Sequence, residues 1–126
     1  MKTLWISIIL LFVVLAGSAA LMIYTTILYN DLQDRLIGLQ QIVEEEEWEK
    51  AEKEVEQLKE QWRRADTSWT PIMDHRQVDR VDESFTRVFR LVDLRKKDDL
   101  LLEITIVRRQ LLRLKDTEVP NLRNVF

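Results

Sequence analysis

The sequence begins with an uncharged, mainly apolar run that is long enough to cross a membrane. From Leu4 to Leu28 no side chain is charged at neutral pH. A helix of about 25 residues, rising about 1.5 Å per residue, extends about 37 Å, which exceeds the thickness of the hydrocarbon core of a bilayer. Tyr24 and Tyr29 lie near the end of the run, where amphipathic rings favour the headgroup layer. Residues 1–29 are therefore predicted to form an N-terminal transmembrane anchor.

The same run also has features of a cleavable signal peptide. Lys2 precedes it, and the small residues from Ala16 to Ala20 resemble the region that signal peptidase recognises. Cleavage there would leave a mature chain that begins with the apolar segment from Leu21 to Leu28, and this favours an anchor that stays uncut. A secreted helical protein, released by cleavage, is the alternative.

Charges on the two sides of the run predict its orientation. Lys2 and the free amine precede it, whereas Asp31, Asp34 and a single Arg35 follow it. Positive charges that flank a membrane span are enriched on its cytoplasmic side. We therefore expect a single-pass protein of the cell membrane, with a cytoplasmic N-terminus and an extracytoplasmic C-terminal domain.

The composition favours helices for the rest of the chain. The sequence has 2 Gly and 2 Pro, and 33% of its residues are charged, which is typical of long helices with short connections. Cysteine is absent, which excludes disulfides, zinc–thiolate sites and a thiol nucleophile. The formal net charge of −3 argues against nucleic acid as a partner.

Apolar residues then repeat at helical spacing. A first stripe, Leu32 to Val43, extends the anchor helix into water, so residues 30–47 are predicted to form a helical juxtamembrane stalk. The stripe slips at Glu44–Glu47, where a break is expected. Residues 48–126 are predicted to form the helical bundle domain.

Three further stripes predict the helices of this domain. They run from Trp48 to Trp69, from Ile72 to Val92 after a start at Thr70 and Pro71, and from Leu100 to Leu114. Thr117 and Pro120 are expected to close the last helix. The predicted fold is all-α: one N-terminal transmembrane helix followed by a small antiparallel bundle of about three helices, with hairpin packing like that of tetratricopeptide repeats as a variant.

Several aromatic and charged landmarks carry a resemblance to a known family. They are the apolar N-terminal span, the segment Glu46–Ala51, Trp62, the segment Asp74–Asp79 and the terminal segment Asn121–Phe126. With these landmarks the chain resembles the domain-of-unknown-function 4363 family of small single-span membrane proteins from endospore-forming Gram-positive bacteria. The resemblance implies a membrane-tethered helical domain without an assigned activity, working beside another membrane protein.

One cluster of side chains has a spacing that could hold a ligand. His75, Asp79 and Asp82 share one face of a helix, at offsets of four and three residues. They are weak candidates for a metal site, since a second histidine with the usual spacing is missing. The simpler interpretation is that His75 belongs to the apolar stripe and bonds Asp79, and a third is that it senses pH.

Four bulky aromatic residues of the bundle are predicted to pack in its core rather than to form a ligand cage. They are Trp48, Trp62, Trp69 and Phe85. Ser68, Thr67 and Ser84 stand outside any motif that would pair a hydroxyl with a base. We therefore expect no catalysis, no cofactor and no small-molecule substrate.

Two sets of residues are predicted to bind a partner. In the last helix the apolar surface is too broad for one neighbour, and this singles out Leu102, Ile106 and Leu112. In the span, small side chains allow another helix to approach closely, namely Gly17, Ser18, Ala19 and Ala20. The expected function is a non-catalytic, membrane-tethered interaction or assembly module with a protein partner or a second copy. The alternative is a ligand-, metal- or pH-responsive sensor domain that uses His75.

Overall fold

The structure is a computed structural model that describes residues 1–118, and its regular structure over this range is entirely helical. The four helices are α1 (Lys2–Glu44), α2 (Trp48–Trp69), α3 (His75–Asp93) and α4 (Lys97–Glu118). The predicted all-α fold is thereby confirmed. The expected closure at Pro120 and the landmark segment 121–126 lie outside the described residues.

The helices pack in a ring that follows their order in the chain. α1 packs against α2, α2 against α3, α3 against α4, and α4 packs back against α1. Because short turns join them, consecutive helices run antiparallel. The result is an up-down-up-down bundle, which confirms the predicted antiparallel arrangement. α4 lies between α3 and α1, as its broad apolar surface requires.

The bundle has four helices rather than about three because the predicted stalk is part of it. Leu32, Leu36, Leu39 and Val43 of α1 are fully buried between α2 and α4. An apolar stripe with this spacing is stable in water only when other helices cover it. The structure therefore packs the segment 30–47 as the first helix of the bundle.

The N-terminal half of α1 extends beyond the bundle. Residues 1–24 are exposed, and the first buried side chain of α1 is that of Thr25. α1 contains a stretch that is long and apolar enough to cross a membrane, and none of that stretch is buried in the bundle. Such a helix is compatible with a membrane anchor or with a signal sequence.

Two of the three turns contain a residue in the left-handed conformation. Between α1 and α2, Glu46 has a φ of 58°, and between α3 and α4, Arg95 has a φ of 53°. In the α1–α2 turn the Glu47 amide donates to the Ile42 carbonyl at 3.1 Å. In the α3–α4 turn the Lys96 amide donates to the Leu91 carbonyl at 3.2 Å. These bonds satisfy carbonyls that the helix ends leave open. The predicted break at Glu44–Glu47 is confirmed.

The turn between α2 and α3 differs from its prediction. The sequence predicts Pro71 at the first position of α3, but the helix begins at His75. Asp74 caps it, since its carboxylate accepts the Arg76 amide proton at 2.9 Å. Thr70 and Pro71 lie at least three residues before Asp74, so they do not occupy the capping position of α3. Pro71 lies in the turn instead.

The core is continuous along the bundle and contains a row of aromatic rings. Trp62 stacks on Phe85, with ring centroids 4.8 Å apart, and meets Trp69 edge to face at 6.1 Å. These three rings are buried, whereas Trp48 is half-buried and packs against the edge of the core. Buried rings of this size contribute much of the apolar area that stabilises a small bundle.

Candidate interaction surfaces

The outer face of α4 carries the predicted partner-binding residues of the bundle. α4 buries a stripe at alternating steps of four and three, namely Leu100, Ile104, Val107, Leu111 and Leu114. Several residues between them are exposed, whereas Glu103 is buried and Leu101 packs against the core. Leu102 is 62% exposed and Leu112 is 47% exposed, while Ile106 is half-buried. Two of the three predicted contact residues are therefore open to solvent.

These three residues do not form one continuous patch. Leu102 and Ile106 are four residues apart, so they are neighbours on the helix surface. Leu112 lies ten residues beyond Leu102, which corresponds to about 15 Å along the axis. Thr105 and Arg109, both exposed, separate it from the pair. The face therefore offers one apolar pair and a separate leucine.

Leu112 borders a groove between α1 and α4. The groove has a volume of about 420 Å³ and is lined by Tyr29, Gln33, Thr105, Arg108, Arg109 and Leu112. Gln33 donates to the Arg108 carbonyl at 3.0 Å and accepts from the Arg108 guanidinium at 3.1 Å. Two of the lining polar side chains are thus bonded to each other across the groove, which ties α1 to α4.

The small residues of the apolar run lie on the exposed half of α1. Gly17, Ser18, Ala19 and Ala20 are all exposed, and a Cβ added at Gly17 would meet no atom within 4 Å. In lipid, small side chains of this kind let the backbones of two helices approach closely. Residues 17–20 are therefore accessible to a second helix.

The members of the predicted His75 cluster have different surroundings in the structure. His75 and Asp79 are exposed, and Asp82 accepts the indole N–H of Trp62 at 2.7 Å. The prediction that His75 belongs to the buried stripe is wrong: His75 is the first residue of α3, and Val78 begins the buried face. Among residues 1–118, no group of three or more His, Cys, Asp or Glu side chains could hold a metal ion.

Polar pairs that the sequence pattern did not predict connect all four helix interfaces. They are Arg35 with Gln57 at 2.6 Å, Trp62 with Asp82 at 2.7 Å, Ser84 with Gln110 at 2.6 Å, and Gln33 with Arg108. Each pair joins residues on different helices. Hydrogen bonds of this kind specify how far each helix is shifted along its neighbour.

Some of the outer charges pair with residues three or four positions away, and others pair across helices or turns. Glu60 contacts Arg63 at 2.7 Å and Arg64 at 3.4 Å, and the hydrogen bond from Arg63 lowers the pKa of Glu60. Across the two turns at one end of the bundle, Lys97 lies 3.6 Å from Glu46. Exposed pairs of this kind contribute little to stability. Such pairs are typical of a solvated surface.

The family comparison matches nearly the whole folded part of the chain. The model of the family described as "Domain of unknown function (DUF4363)" matches residues 21–125. The match begins within α1, just before the bundle, and residues 4–20 of the apolar run precede it. Neither the curated proteins nor the solved structures include a match to this chain. The chain belongs to the DUF4363 family.

Proposed function

We propose that this protein is a non-catalytic, membrane-tethered module that binds another protein at the same membrane through the outer face of α4. The observation that carries the proposal is the exposure of Leu102, with 62% of its surface open, beside Ile106 on a bundle whose core is already filled. When a partner covers this apolar pair, burial contributes about 25 cal/mol of binding free energy for each Å² of apolar surface that leaves water.

The anchor keeps this face close to membrane partners. α1 continues from the apolar run into the bundle as a single helix, Lys2–Glu44. If Lys2 stays in the cytoplasm, the bundle stands on the outer side of the membrane. The small residues Gly17 to Ala20 then provide a second contact, through which the span packs against the span of a partner or of a second copy.

Crosslinking from α4 tests the proposed face. A photoreactive amino acid replaces Leu102 in the full-length protein, and a second variant carries it at Glu56, which is exposed on α2. After irradiation of native membranes, we expect an adduct with a specific protein from position 102 and none from position 56. Absence of an adduct at 102, or the same adducts from both positions, contradicts the proposal.

A charge on the same face provides a second test. Leu102→Glu is expected to leave the thermal unfolding midpoint unchanged, because the side chain is exposed, and to abolish co-purification of the crosslinked partner. Ile104→Glu is the matched control, two residues away but fully buried, and it should unfold the bundle. If Leu102→Glu unfolds the bundle as well, Leu102 is a core residue and the proposed contact is wrong.

Orientation is tested with a single cysteine, since the natural sequence contains none. Leu94, between α3 and α4, is 48% exposed, so Leu94→Cys provides a reactive thiol on the bundle. We expect a membrane-impermeant maleimide to label it on intact cells. Labelling only after permeabilisation would place the bundle in the cytoplasm.

The secreted alternative is supported by one observation. Because the buried residues of α1 begin at Thr25, cleavage after Ala20 would remove no core side chain. The mass of the protein isolated from cells separates the two possibilities. We expect the mass of the uncut chain in the membrane fraction, whereas a mature chain that begins near Leu21 in the medium would favour the secreted form.

A further inference from the structure

We propose that the turn between α2 and α3, residues 70–74, is a membrane contact that places the side chain of Ile72 in the headgroup layer of the bilayer that holds α1. The proposal rests on the insertion of α1 into that bilayer. It adds a second point of attachment, so that the bundle stands end-on against the lipid surface instead of moving freely above it.

The first step is the height of the turn along α1. α2 has 22 residues, and the last 22 residues of α1 are Ile23–Glu44. The two helices are antiparallel and are joined by a short turn, so the end of α2 at Trp69 is level with Ile23. A side-chain contact supports this register. Arg35, nine residues before the end of α1, bonds Gln57, nine residues after the start of α2, at 2.6 Å.

The second step is the length of chain left for the bilayer. From Leu4 to Met22 the sequence has 19 residues without an ionisable side chain. As a helix they extend about 29 Å, which matches a hydrocarbon core of about 30 Å. Ile23 therefore lies at the edge of the hydrocarbon. The α2–α3 turn, at the same height, lies at the level of the headgroups.

The third step is that the bundle cannot move away from the surface. α1 has no break between the span and the bundle, and Thr25, Leu28 and Tyr29 are already buried against the other helices. A flexible linker would let the bundle change its distance from the membrane surface. The continuous helix instead holds the end of the bundle at a constant height above the hydrocarbon.

The fourth step is the chemistry of the turn. Met73 is buried and attaches the turn to the core, and its amide donates to the Trp69 carbonyl at 2.8 Å. The preceding Ile72 points away from the core and is 46% exposed. An isoleucine at the tip of a turn is unfavourable in water and favourable in the membrane interface. Lipid that covers Ile72 would remove this exposed apolar side chain from water.

Depth measurements with single cysteines test the contact, and the natural chain contains no competing thiol. The full-length protein carries a nitroxide label at Ile72→Cys, at Leu94→Cys or at Val13→Cys, and is reconstituted into phosphatidylcholine nanodiscs. Leu94 is the matched control, because it is an equally exposed apolar residue at the opposite end of the bundle. Collisions with oxygen, which concentrates in lipid, are compared with collisions with a water-soluble nickel complex.

The label at position 72 should show a ratio of oxygen to nickel accessibility several-fold higher than the label at 94, and below that at 13. If the label at 13 reports lipid while those at 72 and 94 report water equally, the anchor stands and the proposed contact is wrong. If the label at 13 also reports water, α1 is not inserted, and the contact fails together with the anchor.

Discussion

The indole N–H of Trp62 donates a hydrogen bond to a carboxylate oxygen of Asp82 at 2.7 Å, which ties α2 to α3. The same indole ring stacks on Phe85, three residues after Asp82. Asp82 thus holds the orientation of a core ring from the surface of the bundle. Its position on the helix suggested a metal ligand, but the bond to Trp62 gives it a structural role.

Removal of this acceptor should destabilise the bundle. We expect Asp82→Ala to lower the free energy of unfolding by about 1–3 kcal/mol, because the Trp62 N–H would lose a charged partner. Asp82→Asn keeps a carbonyl oxygen at the same place and should recover part of the loss. Urea denaturation measures both variants. Equal stabilities for Asp82→Ala and the wild type would show that the bond contributes nothing.

His75 is expected to tolerate substitution. Its side chain is exposed at the start of α3, so His75→Ala should change the free energy of unfolding by less than about 0.5 kcal/mol. Val78, one turn later and buried, is the control, and Val78→Ala should be clearly less stable. A melting temperature that falls further for His75→Ala than for Val78→Ala would contradict the exposed position.

The left-handed residue in the α3–α4 turn should favour glycine. Arg95 has a φ of 53°, a conformation that costs residues with a Cβ about 1 kcal/mol or more. Arg95→Gly should therefore be more stable than Arg95→Ala by about 1 kcal/mol, since both remove the charge and only glycine relieves the backbone. Thermal unfolding compares the two. A glycine variant that is no more stable than the alanine variant would argue against this turn.

Gly38 should be replaceable with a gain in stability. A Cβ added there meets no atom within 4 Å, and α1 is helical on both sides. Gly38→Ala should raise the free energy of unfolding by about 0.5–1 kcal/mol through helix propensity alone. Gln41→Ala, at an exposed position one turn later, is the control and should have little effect. A destabilised Gly38→Ala variant would mean that another surface packs closely there.

Much of the fold follows from spacing that the sequence shows directly. The stripe from Trp48 to Trp69 predicts α2 with its observed bounds, because a helix that is half-buried must place apolar residues every three or four positions. The break near Glu46 is predicted for the same reason, since the stripe cannot continue across it. These features depend only on local geometry.

Other features depend on which helix lies opposite, and spacing does not contain that information. The stripe from Leu32 to Val43 predicts a half-buried helix, but it does not distinguish a stalk from a member of the bundle. The apolar run also continues into the bundle, because Thr25 and Leu28 are buried there. His75 fits the stripe of α3 by spacing, yet the cap at Asp74 starts the helix there.

Candidate interface residues show the same limit. Spacing separates Leu102 from the buried stripe that contains Ile104, but it groups Ile106 with Leu102 although Ile106 is half-buried. Their different exposure follows from the positions of α1 and α3 around α4. The polar pair Gln33 and Arg108 is similarly invisible in the sequence, because 75 positions separate its members.

Paired truncations in α1 test most directly whether the C-terminal half of this helix packs as a member of the bundle. Leu36 is fully buried, whereas its neighbour Ile37 is 36% exposed. We predict that Leu36→Ala lowers the free energy of unfolding by about 2–5 kcal/mol and that Ile37→Ala lowers it by less than about 1 kcal/mol, measured by urea denaturation of the full-length protein in detergent. Equal, small losses for both variants would show that this segment is a separate stalk and would contradict the four-helix bundle.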